Sequence, residues 1–165
     1  MSGGNIRAGN PKARSVHQAW YCRIATGESL GTEQDPYYHS MEVSDYESNI
    51  TILEIPWKSS LVGVSWMAQP LYRVEDGTLE VQVSYITYPD GEFGGWEWGP
   101  EGCVVTPQTM QAAGNIQWES WSFDNGEYVV PAKVGIGVRL KLIDCKLGDG
   151  TWARSQVQVV FEPTK

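Results

Sequence analysis

A chain of 165 residues is long enough for one domain with its own core, and needs neither disulfides nor a metal to hold it. Its formal charge of −8 is unevenly spread: residues 1–24 carry Arg7, Lys12, Arg14 and Arg23 and no acid, which leaves eight bases against twenty acids, a net −12, for residues 25–165. That acidic body lacks the clustered Lys and Arg that phosphate backbones require, which excludes nucleic-acid binding by it, and no stretch approaches the roughly 20 apolar residues of a membrane helix.

Residues 1–14 are small, polar, Gly- and Asn-rich and basic, without periodicity, and read as an extended N-terminal arm. Alternation begins at residue 15. In SVHQAWYCRI (15–24) Val16, Gln18, Trp20, Cys22 and Ile24 share one face of an expected strand. Residues 25–48 follow as a long irregular segment with six acids, Tyr37, Tyr38, Tyr46 and His39. NITILEI (49–55) and SLVGVSWM (60–67) read as short strands separated by Pro56. Residues 74–77 end in Asp-Gly and suggest a turn into TLEVQVSYITY (78–88), where Leu79, Val81, Val83 and Tyr85 oppose Glu80, Gln82 and Ser84.

PDGEFGGWEWGPEG (89–102) packs five glycines, two prolines and four acids around Phe93, Trp96 and Trp98, and reads as a second long loop. TPQTMQAAG (106–114) allows one or two helical turns. NIQWESWSF (115–123), the turn Asp124-Asn125-Gly126 and EYVVPAKV (127–134) together predict a β-hairpin. In KVGIGVRLKL (133–142) Val134, Ile136, Val138, Leu140 and Leu142 form a stripe, with Gly135 and Gly137 opposite, as if something packs closely over them. After the turn at 148–150, Val157, Val159 and Phe161 alternate with Gln156, Gln158 and Val160.

Eight or nine strands without a sustained helical period predict an all-β fold: an antiparallel β-sandwich or jelly roll over 15–165, with two long irregular loops and the arm 1–14 as a separate segment. Catalysis does not assemble from this sequence. The two histidines, His17 and His39, stand apart, GxSxG and phosphate-binding motifs are missing, and Glu97 and Glu119, though flanked by tryptophans, are no established carboxylate pair. Acids in 25–48 lack EF-hand spacing, so no metal and no cofactor is expected. Cys22, Cys103 and Cys145 are far apart and read as small buried thiols of a reducing compartment. MSGGNIRAGNPKARS lacks the apolar segment of a secretory leader, so synthesis in a cytoplasm is expected, and the sequon at Asn49 carries no weight without secretion.

The aromatic loops and the arm are the candidate contact residues: Phe93, Trp96, Trp98, Tyr37 and Tyr38, with Arg7, Lys12 and Arg14. Glycine on both sides of Trp96 and Trp98 leaves those rings without local cover. The acid-free arm, all-β body, aromatic loops and reduced cysteines together resemble the small β-rich cement or decoration proteins of tailed-phage virions. The resemblance covers the layout of the whole chain. It implies a non-enzymatic virion protein, made in the host cytoplasm, that docks on major capsid or other virion subunits, forms a homo-oligomer such as a trimer, and clamps neighbours with its arm. A carbohydrate- or receptor-binding β-sandwich, such as a fibre tip, is the alternative, with a saccharide stacked on the exposed rings.

Overall fold

The apolar stripes named above become strands in the computed structural model, which describes residues 15–25, 29–43, 53–68, 77–87, 97–98, 103–107, 117–132, 134–146 and 152–165. In chain order these are β1 (Val16–Ala25), β2 (Ser29–Leu30), β3 (Tyr37–Ser40), β4 (Leu53–Glu54), β5 (Ser59–Ala68), β6 (Thr78–Thr87), β7 (Glu97–Trp98), β8 (Cys103–Val105), β9 (Gln117–Ser122), β10 (Val129–Val130), β11 (Gly135–Ile143), β12 (Cys145–Lys146) and β13 (Trp152–Pro163). Several short strands share a neighbour. β9 and β10 both run along β5, β3 and β4 both run along β11, and β7 and β8 both run along β6.

Counting each such pair as one lane leaves eight lanes in two antiparallel sheets. The first sheet has the order β1–β13–β5–β9/β10, and the second β3/β4–β11–β6–β7/β8; β2 and β12 pair separately. Numbered along the chain, lane 1 pairs with 8, 2 with 7, 3 with 6 and 4 with 5. That nesting is one long doubled hairpin rolled into two layers, which is the jelly roll. Each strand then has one face to bury and one to expose. Trp20 of β1, Trp66 of β5 and Val157, Val159 and Phe161 of β13 meet Leu79 and Val81 of β6 and the β11 stripe Ile136 to Leu142 in one core. Gly135 and Gly137 are buried as well, in keeping with the close cover expected over that side of β11.

Two features adjust this pattern. β5 carries one residue more than β13 needs: Val160 lies opposite Gly63 and Phe161 opposite Leu61, so Val62 is bulged out of register. The bulge shifts the alternation, so that Leu61 and Val64 are both buried and Trp66 and Ala68 continue the buried set. The second feature stitches the two sheets on one side. Met41 N donates to Val138 O of the second sheet (2.9 Å), while Tyr21 and Glu42 exchange two backbone hydrogen bonds (2.7 and 2.8 Å) with the first.

Two expectations are corrected. The segment 25–48 is not irregular throughout: β2, β3 and the Tyr21–Glu42 bridge lie in it, because the backbone of β11 offers a free ladder for Tyr37–Ser40 whatever their side chains. Residues 115–134 are not a hairpin. β9 and β10 do not pair with each other but follow one flank of β5 in the same direction, with Phe123 N donating to Val62 O (3.0 Å) and Leu61 N donating to Tyr128 O (2.9 Å) on either side of the turn. The Asp-Asn-Gly turn is therefore an excursion from one lane, closed by Glu127 N to Asp124 O (3.1 Å).

Asn125 anchors that excursion to the end of β13. Its Nδ2 donates to Pro163 O (3.1 Å), and its Oδ1 accepts from Lys165 N (3.0 Å) and from the hydroxyl of buried Ser60 (3.2 Å). Ser60 Oγ also accepts from Gly126 N (3.0 Å), which Gly126 presents at a left-handed φ of 103°. Asn125→Ala removes the side-chain partner of the Pro163 carbonyl and Lys165 N, while the Ser60 hydroxyl keeps Thr164 Oγ1 (3.1 Å), so it should cost about 1 kcal/mol and lower the melting temperature by roughly 2–4 °C. Thermal unfolding of the variant checks this; an unchanged melting temperature would mean that water replaces the side chain.

Candidate interaction surfaces

Trp118 and Trp121 are three apart on β9, and on a strand that spacing sends two rings to opposite faces. Trp121 packs against the core, and Trp118 stands outward, 69% exposed. Its cross-strand neighbour is Met67, 38% exposed, and the same row continues through Gln156 of β13 to Tyr21 of β1. One step toward the end of the sheet, Arg23 and Arg154 face each other across β1 and β13, both exposed. The next row in the other direction is polar and neutral: Ala19, Gln158, Ser65 and Ser120, with a 3.0 Å hydrogen bond between the two serine hydroxyls. From Arg154 to Val160 along β13 and across β5 to β9, none of the described outward residues is an acid or a lysine, and Glu42, bridged to Tyr21, borders the row at its β1 end. A groove of about 170 Å³ opens among Tyr21, Arg23, Met67, Arg154 and Gln156.

The outer face of the second sheet is built differently. Lys141 Nζ lies 3.6 Å from Glu80 Oε2, Gln82 Nε2 donates to the same oxygen (3.3 Å), and Arg139 Nε donates to Gln82 Oε1 (2.8 Å). The Arg139 guanidinium sits 4.1 Å from the centre of the Tyr38 ring. The charges on this face answer one another, and Tyr38, though 45% exposed, already has a cation over one side. Tyr37 lies on the other face of β3, with its hydroxyl 3.4 Å from His39 Nδ1 and the two rings stacked at 6.2 Å. Burial pushes the His39 imidazole below 6.5, against a smaller upward pull from Glu42.

Of the sequence-predicted contact residues, the structure describes the side chains of Tyr37 and Tyr38. Tyr37 and Tyr38 point to opposite sides of one edge strand. The backbone of Glu97–Trp98 is paired with Thr87 and Ile86 at the border of the second sheet, which corrects the expectation of loop throughout 89–102. Phe93, Trp96, Arg7, Lys12 and Arg14 lie outside the described residues. Trp118, with Met67, is the exposed aromatic the sequence reading passed over; its phase against Trp121 and Phe123 was the available signal. Among the described residues no three His, Cys, Asp or Glu side chains are grouped as a metal site would need.

No protein-family model matches the chain, and no curated protein matches it. Among solved structures it is similar to a chain of the infectious bursal disease virus Gx strain, at 13% identity and a TM-score of 0.49, over 92% of this chain and 33% of that one. It is similar to a chain of the cyanophage Pam1 capsid at 11% identity and a TM-score of 0.34, over 99% and 97% of the two chains. Eiger, a TNF from S. frugiperda, is similar at 11% identity and a TM-score of 0.32, over 92% and 94%. This chain spans about a third of the length of the infectious bursal disease virus chains it matches. Such scores give an outline in common; the jelly-roll assignment rests on the strand pairing itself.

The three cysteines are free thiols. Burial pushes Cys22 and Cys103 from 9.0 up to about 12 and raises Cys145 too, so little thiolate exists at neutral pH. Folded protein at pH 8 should therefore react slowly with a thiol reagent such as Ellman's, and all three cysteines should react on denaturation. Because the folded thiols titrate above the unfolded ones, their contribution to stability is complete below pH 9 and is lost as pH rises from 9 toward 12. Rapid labelling of the native protein would contradict this.

Proposed function

We propose that the protein is a non-enzymatic structural protein of a virion, a cement or decoration protein that stabilises a particle by docking on neighbouring capsid subunits. Jelly rolls serve as viral capsid domains and as lectins, so the fold alone does not choose between the two, and the surface has to. The observation that carries the reading is the outer face of the first sheet. Its central rows join Trp118, Met67, Tyr21, Arg23 and Arg154 and, from β13 across β5 to β9 between Arg154 and Val160, hold no Asp, Glu or Lys among the described outward residues, with Glu42 and Glu162 only at the margins, on a body whose residues 25–165 carry a net −12. Enrichment in aromatics, Met and Arg with depletion of Lys, Glu and Asp is the composition of protein–protein interfaces. Docking there places the finished protein in the virion, with the arm 1–14 as a second point of attachment and a homo-oligomer, a trimer by resemblance, as the docking unit.

A carbohydrate-binding module is the second reading, favoured by the Gln156 amide in the same row as Trp118 and Tyr21. The groove beside them, at about 170 Å³, is smaller than the roughly 300–1,000 Å³ of small-ligand pockets, which favours a protein side chain as occupant.

Trp118→Ala should leave the melting temperature almost unchanged, since the ring is mostly exposed, and weaken binding to the particle by about 2 kcal/mol or more, on the order of thirtyfold. Binding isotherms on particles stripped of this protein measure it. Undiminished binding argues against docking through this face, and competition by a soluble saccharide would favour the lectin reading. Deleting residues 1–14 should preserve folding and reduce docking, increasingly so for charge reversals at Arg7, Lys12 and Arg14 at low salt; equal decoration by the truncated chain would remove the arm from the account.

A further inference from the structure

Arg23 and Arg154 occupy directly opposed positions on β1 and β13, where Cβ atoms lie about 5 Å apart and like charges repel. Both are exposed, and neither forms an ion pair with a described residue. They stand over a groove whose other walls are Tyr21, Gln156 and Met67, with Trp118 next to Met67. Elsewhere the described cations on the sheet faces are answered, as Lys141 is by Glu80 and Arg139 by Gln82 and the Tyr38 ring. This pair faces outward on its sheet with no ion-pair partner among the described residues, and the described acid at the margin of the neighbouring row is Glu42, bridged to Tyr21.

We propose that the groove receives a carboxylate side chain from an acidic segment of a partner protein, held between the Arg23 and Arg154 guanidiniums while an adjacent apolar side chain rests on Met67 and Trp118. This rests on the docking reading above and names the chemistry of what docks. One carboxylate accepting from both guanidiniums turns a repulsive cross-strand pair into two charge-assisted hydrogen bonds. The Gln156 amide and the Tyr21 hydroxyl add neutral donors at the groove wall. The groove, at about 170 Å³, has room for a side chain. The net −12 of residues 25–165 opposes the approach of long polyanions, so a single carboxylate within a mixed acidic and apolar segment is the better match than a phosphate chain.

The test is a titration of the ¹⁵N-labelled full-length protein, at fixed ionic strength, with a capped peptide alternating glutamate and leucine. Its glutamine counterpart and N-acetylneuraminic acid are run in parallel. The expected result is saturable shifts centred on residues 21–23, 67, 118 and 154–156. Affinity should be at least tenfold weaker for the glutamine peptide, and for a variant carrying Arg23→Gln and Arg154→Gln whose spectrum is otherwise preserved. No saturable shift, equal affinity for both peptides, or preference for N-acetylneuraminic acid would each overturn the proposal, the last by making an anionic sugar the occupant. Concentration-dependent shifts at these residues in the protein alone would also overturn it, by placing a second copy there. Particle binding separates the two levels: if the arginine variant docks like wild type while Trp118→Ala does not, the carboxylate proposal falls and docking stands. If both variants dock undiminished, both fall.

Discussion

The pairing of β5 with β13 sets the phase of the whole sandwich. β5 is an inner lane, so its alternation decides which residues of both neighbours face inward, and the extra residue at Val62 resets that alternation midway. On one side of the bulge Leu61 is buried and Ser60 is drawn in beside Asn125; on the other, Val64, Trp66 and Ala68 are buried. Met67 is therefore outward, and so is Trp118, its partner on β9. A regular β5 would have turned one half of the strand inside out. The core, the anchor of the turn at Asn125 and the exposed apolar pair all follow from that one inserted residue.

Much of the architecture was legible because an inner lane, covered on one face, has to alternate. The stripes of β6, β11 and β13 named from sequence are the buried sets found, Leu79, Val81 and Val83, Ile136 to Leu142, and Val157 to Phe161. Border lanes were not legible. Tyr37–Ser40 pair through their backbone while their side chains remain largely exposed, so no apolar pattern marks them. The misread hairpin has a similar origin: Asp-Asn-Gly is good turn chemistry, but a turn between two runs does not say whether they pair with each other or with a third strand already beside them. Gly63, between Val62 and Val64, adjoins the bulge, where a residue without a side chain eases the change of register. Trp118 was passed over because tryptophan in a strand suggests core, whereas its spacing from Trp121 allows only one of the two to be inside.

The two outer faces show how one fold keeps two surfaces of different character. On the second sheet Glu80, Gln82, Arg139, Lys141 and Tyr38 form a chain of mutual contacts, so the charges there are already engaged with one another. On the first sheet the central outward residues are apolar, amide, hydroxyl or guanidinium, with His17 and Glu162 toward one end, and they make few contacts across strands beyond Ser65 with Ser120. A self-satisfied face loses its internal pairings when covered. An unsatisfied one has only water to give up, which is why a partner gains more there.

The excursion at residues 124–127 also bears on how the protein behaves in crowded solution. β9 and β10 form the border lane of the first sheet, and among the described residues they pair on one flank only, toward β5. A long straight border strand is a template on which further chains can add, the first step of disordered aggregation. Here the lane is cut into six residues and two, separated by a turn that is pinned out of line through Asn125. The open flank is too short and too broken to seed runaway strand addition, so a protein with an exposed tryptophan can still remain dispersed until its proper partner is met.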